Sequence, residues 1–365
     1  MAKKWFYVGT YTHPILFGTG EIFTGKGKGI YRLCLDDETG EIALDPDPAP
    51  AVNPSFVALS PDRKFLYAVN ELKEFNGAFG GSASAFAVAQ DGTLTYLNSQ
   101  PTMGTDPCHV AVNAAQTHVY VSNFMSGSVT VFPILEDGSL GEASDFHQHE
   151  GHGPIEARQK GPHAHSLTFS ADQKFAFVPD LGIDQLVIYK TDFENGKLIP
   201  ADVPFLQTFP GAGPRHCEFH PNQKWCYLIN EIACSISLLY YHAEDGTFTL
   251  EQTVDTIPPE EKAGNICADL HITPDGRFLY GSNRGHDSLT AFSIDPETGH
   301  LTQFQSISCG GSVPRNFCIE KGGKFLLCGN QNTDNVAVFK ICQECGKLTQ
   351  IFDLPVPTPV CLREM

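Results

Sequence analysis

A turn signal that returns about every 51 residues constrains this chain more than any other feature of its sequence. It is made by seven dipeptides: Thr39-Gly40, Asp91-Gly92, Asp137-Gly138, Asn195-Gly196, Asp245-Gly246, Thr298-Gly299 and Cys345-Gly346. Their glycines lie 52, 46, 58, 50, 53 and 47 residues apart. Asp-Gly or Asn-Gly between short apolar runs marks a tight β-hairpin, because that turn needs positive φ. A second landmark keeps the same phase: Pro61 to Tyr67, Ala171 to Phe177, Pro221 to Tyr227, Pro274 to Tyr280 and Lys321 to Leu327, with Ala115 to Tyr120 as a shortened copy. Each is a polar turn feeding an apolar strand, B, and another apolar strand, A, such as Ser55 to Leu59, precedes it. Four strands in a unit of this length predict a β-propeller.

The two ends of the chain set the blade count. Lys4 to Gly9 reads as a strand B with no strand A before it, and Thr358 to Leu362 reads as a strand A with no strand B after it. Joined, they make one composite blade that closes the ring and removes its exposed sheet edges. With six internal repeats the expectation is all-β, a seven-bladed propeller of four-stranded antiparallel blades, forming a single domain over residues 1–365. No window sustains the i, i+3, i+4 apolar pattern of a long helix.

Charge narrows the partners. The chain has 24 Lys and Arg against 42 Asp and Glu, a formal net charge of −18. An acidic surface repels nucleic acid and anionic membranes, so neither is expected as a partner. A small anionic substrate would need a local cluster of Arg or His. The apolar run Trp5 to Val8 stops at Gly9, too short for a signal peptide, and no stretch nears the ~18 apolar residues of a membrane span. Of the twelve cysteines, several lie in apolar strands (Cys226, Cys318, Cys328), where a free thiol packs as a small hydrophobe. Cys342 and Cys345 form one CxxC without a second pair, weak grounds for zinc. Reduced thiols and a cytoplasmic location are expected; the oligomeric state is open.

In a propeller the start of strand A and the end of strand B open on one face of the central channel. Aligning the repeats on their A–B turns puts Ser55, Cys108, His165, Arg215, Ala268, Arg315 and Val360 at one position, and Phe56, His109, Ser166, His216, Asp269, Asn316 and Cys361 at the next. The end of strand B gives Tyr11, Glu71, Phe124, Leu181, Glu231, Arg284 and Gln331. A polar residue recurs just before these, as Asn70, Asn123, Asp180, Asn230, Asn283 and Asn330, with Thr10 in the composite blade. Asn or Asp at a strand end commonly bonds its own turn, a structural role. The charged residues are different, since His165, Arg215, Glu231, Arg284 and Arg315 replace small or apolar residues of other blades and all face one mouth. A funnel merely lined with water is the alternative; an anion-binding site fits better, because charges are rarely buried unpaired.

An insertion begins at His147 and carries His149, His152, Glu156, Arg158 and Gln159 before His163 and His165. Five histidines in nineteen residues raise the question of a metal, but no HExxH frame or completing carboxylate set accompanies them. A loop over the mouth, without metal or organic cofactor, is expected.

Several of these segments carry a resemblance. Tyr7-Val8-Gly9-Thr10-Tyr11-Thr12, Arg158-Gln159 followed by Pro162-His163-Ala164-His165-Ser166, Gly213-Pro214-Arg215-His216, Asn230-Glu231 and Ser282-Asn283-Arg284 resemble the lactonase family of seven-bladed propellers along the whole chain. That family includes bacterial-type 6-phosphogluconolactonases and, more distantly, fungal carboxymuconate-lactonizing enzymes. The resemblance implies hydrolysis of a sugar lactone, 6-phosphoglucono-δ-lactone first, with His165, Arg215, Glu231 and Arg284 as catalytic residues. Arg158, His163, His216 and Arg315 follow as substrate ligands. His165 would be the acid/base group; Glu231 would orient an Arg or His, or itself activate water. A muconate cycloisomerase-type reaction and a non-catalytic binding propeller are the alternatives. The His-bearing insertion and the loop from Thr19 to Lys28 depart from the family pattern and border the expected mouth.

Overall fold

Strand B of every repeat is an apolar run of six to eight residues, and nearly all of it is buried: Trp225–Asn230, Phe175–Asp180 and Phe325–Asn330 have no exposed residue. Strands covered on both faces read as continuous apolar runs. The outermost strand of each repeat, such as Leu348–Pro355, instead alternates towards solvent. In this computed structural model, which describes residues 3–16 and 20–365, these strands build seven antiparallel sheets around a channel.

Blade I spans 3–50 together with 359–364, and blades II to VII span 57–101, 107–148, 168–207, 214–255, 266–308 and 314–355. Closure is as expected from the chain ends. Lys3–Thr10 pairs antiparallel with Pro359–Glu364 on its inner side and with Gly29–Asp36 on its outer side, placing Val8 opposite Leu362 and Tyr31. Two short hairpins, Pro14–Leu16 with Ile22–Thr24 and Glu74–Phe75 with Ala78–Phe79, are added to this plan. One 3₁₀ turn, Pro259–Glu261, is the only helical element among the described residues.

The repeated glycines also hold neighbouring blades together. All seven have positive φ, from 63° to 84°, and six of them lie against side chains that open strand B of the preceding blade, Gly92 meeting Met365 instead. A Cβ on Gly246 would meet the Phe175 ring at 2.5 Å, and one on Gly299 would meet Trp225 at 2.6 Å. Two residues further along strand B a tyrosine completes the clasp: Tyr7, Tyr67, Tyr227 and Tyr280 donate to the carbonyls of Gly92, Gly138, Gly299 and Gly346 at 2.7, 3.1, 2.7 and 2.7 Å. The 51-residue period is therefore the period of the blade-to-blade contact. The recurrent Asn residues are structural: Asn123, Asn230 and Asn283 each donate to two hydroxyls on the following strand at 3.0–3.1 Å.

Deleting residues 358–365 removes the inner strand of blade I, where Val360, Cys361 and Leu362 are at most 2 % exposed. Burying an aliphatic side chain of this size is worth about 1.5–3 kcal/mol, and the deletion also bares the edge of Lys3–Thr10. The truncated protein is expected to melt at least about 10 °C lower or to aggregate; melting at an unchanged temperature would refute the closure. All twelve cysteines are free thiols, ten of them buried. Denatured protein is expected to titrate twelve thiols, whereas the native protein should react rapidly only at Cys342 and Cys345.

Candidate active site

Where strands A begin and strands B end, the channel opens into a cavity of about 290 Å³. Its polar wall carries Arg158, His165, Glu231, Arg284 and Arg315, together with Glu71 and Asp106. Apolar residues complete the lining: Phe124 and Val313 from loops at the blade ends, Ile266 from the start of strand A in blade VI, and Leu16 and Phe23 from the added hairpin of blade I. Gly20 and Glu21 of the loop expected at the mouth are exposed, while Thr19 lies outside the described residues.

Glu231 is the node of the site. It follows strand B of blade V, its N–H held by the carbonyl of Gly213 at 2.7 Å. One carboxylate oxygen accepts from Arg158, and the other lies 2.6 Å from Arg284 and 3.0 Å from Nε of Arg215. Burial disfavours its charge, but Arg284, Arg158 and Arg215 outweigh burial and hold the carboxyl far below its ordinary 4.5. Glu231 is thus permanently ionised, with both oxygens engaged. The guanidiniums feel the burial too, and Arg284 is lowered to about 9, still charged at neutral pH.

This pair structure has a pH signature. Removing one partner of a buried ion pair typically costs about 3–5 kcal/mol, so Glu231→Gln should lower the melting temperature at pH 7. Because the folded-state pKa of Glu231 is depressed, its contribution is fully present above the unfolded value and declines as pH falls below it. The stability gap between wild type and E231Q is expected to narrow progressively below about pH 4.5. A gap that stays constant to pH 3 would remove Glu231 from this role.

Arg158 reaches Glu231 because the insertion is pinned by its neighbour in the motif, to which the sequence reading assigned no role. Gln159, fully buried, donates to the carbonyl of Leu181 at 2.8 Å and to Asp184 at 2.7 Å. The same Asp184 carboxylate accepts the N–H groups of Gly211 and Gly213 at 2.7 and 2.8 Å, just before Arg215. One buried carboxylate thereby ties the segment of Arg158 to that of Arg215. A repeat position marks Asp184: it lies three residues beyond the strand-B end, as Asp287 and Asp334 do in blades VI and VII, where they accept the N–H groups of Val313 and Thr358 at 2.8 and 2.9 Å.

The expected site residues do not all reach the cavity. Arg215 lies beneath its floor, 2 % exposed, donating to the carbonyl of Ala268 and standing 3.3 Å from Nε2 of His216. His216 packs deeper in the channel, its Nδ1 3.0 Å from Asp269 and its ring against His109 and Phe56. His163 is also outside the lining: it stacks on Phe124 at 4.7 Å and bonds the Phe124 carbonyl at 2.9 Å. His163 and His216 were expected as substrate ligands from the family resemblance. His163 lies in the loop two residues before His165 with its ring laid on Phe124, and His216, beside the buried Arg215 in strand A, is held below the cavity by Asp269.

The insertion histidines disperse. His149 bridges Asp180 at 2.6 Å and the Tyr189 hydroxyl at 2.9 Å, His147 bonds Asp145 at 2.9 Å, and His152 is exposed. Among the described residues no three His, Cys, Asp or Glu side chains are grouped as a metal site.

His165 lines the cavity with its backbone N–H fixed by Pro179 at 3.0 Å and its ring edge-on to Phe124 and His216. Burial and then Arg215 push its pKa well below 6.5, so the imidazole is neutral in the unliganded site. Across the cavity, burial raises Asp106 to about 6 despite its ion pair with Lys73. Arg315 faces Glu71 at 3.7 Å and lies over the Tyr11 ring at 5.4 Å. The floor therefore holds four guanidiniums against the carboxylates of Glu231 and Glu71, an excess of positive charge suited to an anion.

Known proteins resemble the chain along nearly its whole length. The family model described as "Lactonase, 7-bladed beta-propeller" matches residues 5–364. The 6-phosphogluconolactonase of Bacillus subtilis (strain 168) is 35% identical over 320 residues, covering 88% of this chain and 86% of that protein. The 6-phosphogluconolactonase of Formosa agariphila is 33% identical over 306 residues, covering 82% and 84%. Among solved structures, a periplasmic gluconolactonase of Pseudomonas aeruginosa superposes with a TM-score of 0.90 at 30% identity, covering 100% of this chain and 99% of that one.

Proposed function

The chain belongs to the lactonase family of seven-bladed β-propellers, and from that premise we propose that it hydrolyses 6-phosphoglucono-δ-lactone to 6-phosphogluconate. The observation that carries the reading is the cavity itself: a neutral imidazole beside an excess of guanidinium charge, at the one place where the blades converge. Water attacks the lactone carbonyl carbon, the bond from that carbon to the ring oxygen breaks, and the product is a carboxylate, a hydroxyl and a proton. His165 takes the proton from the attacking water and returns one to the departing ring oxygen. Its pKa is depressed while the site is empty; a bound dianion offsets the neighbouring arginines and raises its basicity.

Arg284 stabilises the charge that grows on the carbonyl oxygen. Its Nε has no hydrogen-bond partner within the protein, which leaves a donor for that oxygen. Arg158 and Arg315 hold the phosphate, and Arg215 and Glu231 position the other two guanidiniums. Glu231 does not carry the proton, because both its oxygens are engaged and it stays ionised. Twelve free thiols support a reducing compartment, and no described helix is long and apolar enough to cross a membrane.

The test compares 6-phosphogluconolactone, unphosphorylated gluconolactone and carboxymuconate side by side, each above its spontaneous rate. The expected result is the highest kcat/KM on the phosphorylated lactone. Conversion of carboxymuconate alone would overturn the reading in favour of a cycloisomerase.

A further inference from the structure

The cavity lining includes one carboxylate, Asp106, that anion binding leaves unexplained. Glu71 faces Arg315 at 3.7 Å, and its charge is one of the forces that raise the pKa of Asp106. A site built only for phosphate gains nothing from a further carboxylate, which repels it. Asp106 is 2 % exposed, and while Oδ2 pairs with Lys73, Oδ1 has no hydrogen-bond partner within the protein. Gln331 is 3 % exposed on the same cavity; its Nε2 donates to Asn332 at 3.0 Å and its Oε1 is likewise unpartnered. A buried acceptor without a donor is destabilising, so two of them on residues lining one cavity call for donors from a ligand.

The backbone holds Asp106 where it is. It has φ 51°, its N–H donates to the Leu72 carbonyl at 2.9 Å, and its own carbonyl accepts from Phe124 at 2.9 Å. The lining residues thus offer unpartnered atoms of both kinds: Nε of Arg284 as a donor, and Oδ1 of Asp106 with Oε1 of Gln331 as acceptors.

We propose that Asp106, with Gln331, accepts hydrogen bonds from the hydroxyl groups of the substrate, so that the site selects polyhydroxylated sugar lactones over lactones without hydroxyls. This rests on the lactonase reading and names which residues set its substrate class. Apolar pockets tolerate an extra or missing group weakly, but a site that bonds a substrate hydroxyl rejects the analogue lacking it strongly.

The experiment is a binding measurement, independent of turnover. Calorimetry would compare 6-phosphogluconate, its hydroxyl-free chain analogue 6-phosphooxyhexanoate, and inorganic phosphate, on wild type and on Asp106→Asn. Asn tolerates positive φ, so the variant keeps the backbone. Wild type is expected to bind 6-phosphogluconate at least about tenfold more tightly than the hydroxyl-free analogue. D106N should weaken 6-phosphogluconate about tenfold while leaving the other two unchanged or tighter, since a repelling charge has gone. A wild type that does not distinguish the two chains overturns the proposal without any variant. So does D106N tightening all three, no binding of any, or binding that requires added Ca²⁺, which would make the carboxylates cation ligands. Hydroxyl selectivity without lactone hydrolysis would leave this inference standing and sink the proposed function instead.

Discussion

His165→Ala is expected to lower kcat by about 10²–10⁴-fold, the range for losing a general acid–base group. The pH profile separates this from a loss of packing. A base must be neutral, so kcat/KM on unphosphorylated gluconolactone should fall only as pH drops well below 6.5, where the depressed imidazole becomes protonated. The unphosphorylated substrate avoids the titration of the phosphate itself near pH 6. On the phosphorylated lactone the acid limb of kcat should sit at higher pH than that of gluconolactone, because the bound dianion favours the imidazolium. In His165→Ala that limb should vanish. A variant that keeps it, at near-normal kcat, would show that another group moves the proton.

Arg284→Met keeps much of the bulk and removes the charge and the unpartnered Nε. If that N–H meets the developing oxyanion, kcat should fall at least about 10²-fold, the low end for one such donor. Arg315→Met is the internal control. Arg315 occupies the equivalent of the Arg215 position two blades on, yet it faces Glu71 at 3.7 Å, and on the proposed mechanism it binds phosphate. Its loss should therefore raise KM for the phosphorylated substrate, leave kcat near normal and hardly affect gluconolactone, since binding made equally in ground and transition states changes KM alone. Equal damage to kcat in both variants would show that roles taken from family resemblance do not describe this site, although its location would stand.

The repeat reading brought together residues that line one cavity, because period and register are local properties. Glu231 and Arg284 occupy the strand-B end of blades V and VI, and His165 and Arg315 the strand-A start of blades IV and VII. Any ring that satisfies the A–B turns must bring those positions to one mouth. Glu71 and Gln331 were legible in the same alignment, as Glu231 was, but lacked a family role to single them out. Asp106 precedes strand A by one residue and falls outside both aligned positions, so no repeat argument selects it; the cavity wall does.

What the sequence determined by itself was the number of blades, the composite closure and the face on which charge gathers. Each follows from the spacing of turns and the alternation of strands, which the backbone enforces within a few residues. What the tertiary structure alone decided was how the charges are shared out. Arg158, Arg215 and Arg284 come from different blades and an insertion, and their convergence on one carboxylate depends on loop paths fixed by Gln159 and Asp184. That convergence puts Arg215 below the floor, occupies both oxygens of Glu231 and, with burial, keeps His165 neutral. A pKa is set by depth and by neighbours a few ångströms away through space, and residues far apart in the chain, such as Arg158 and Glu231, become such neighbours only once the ring has closed.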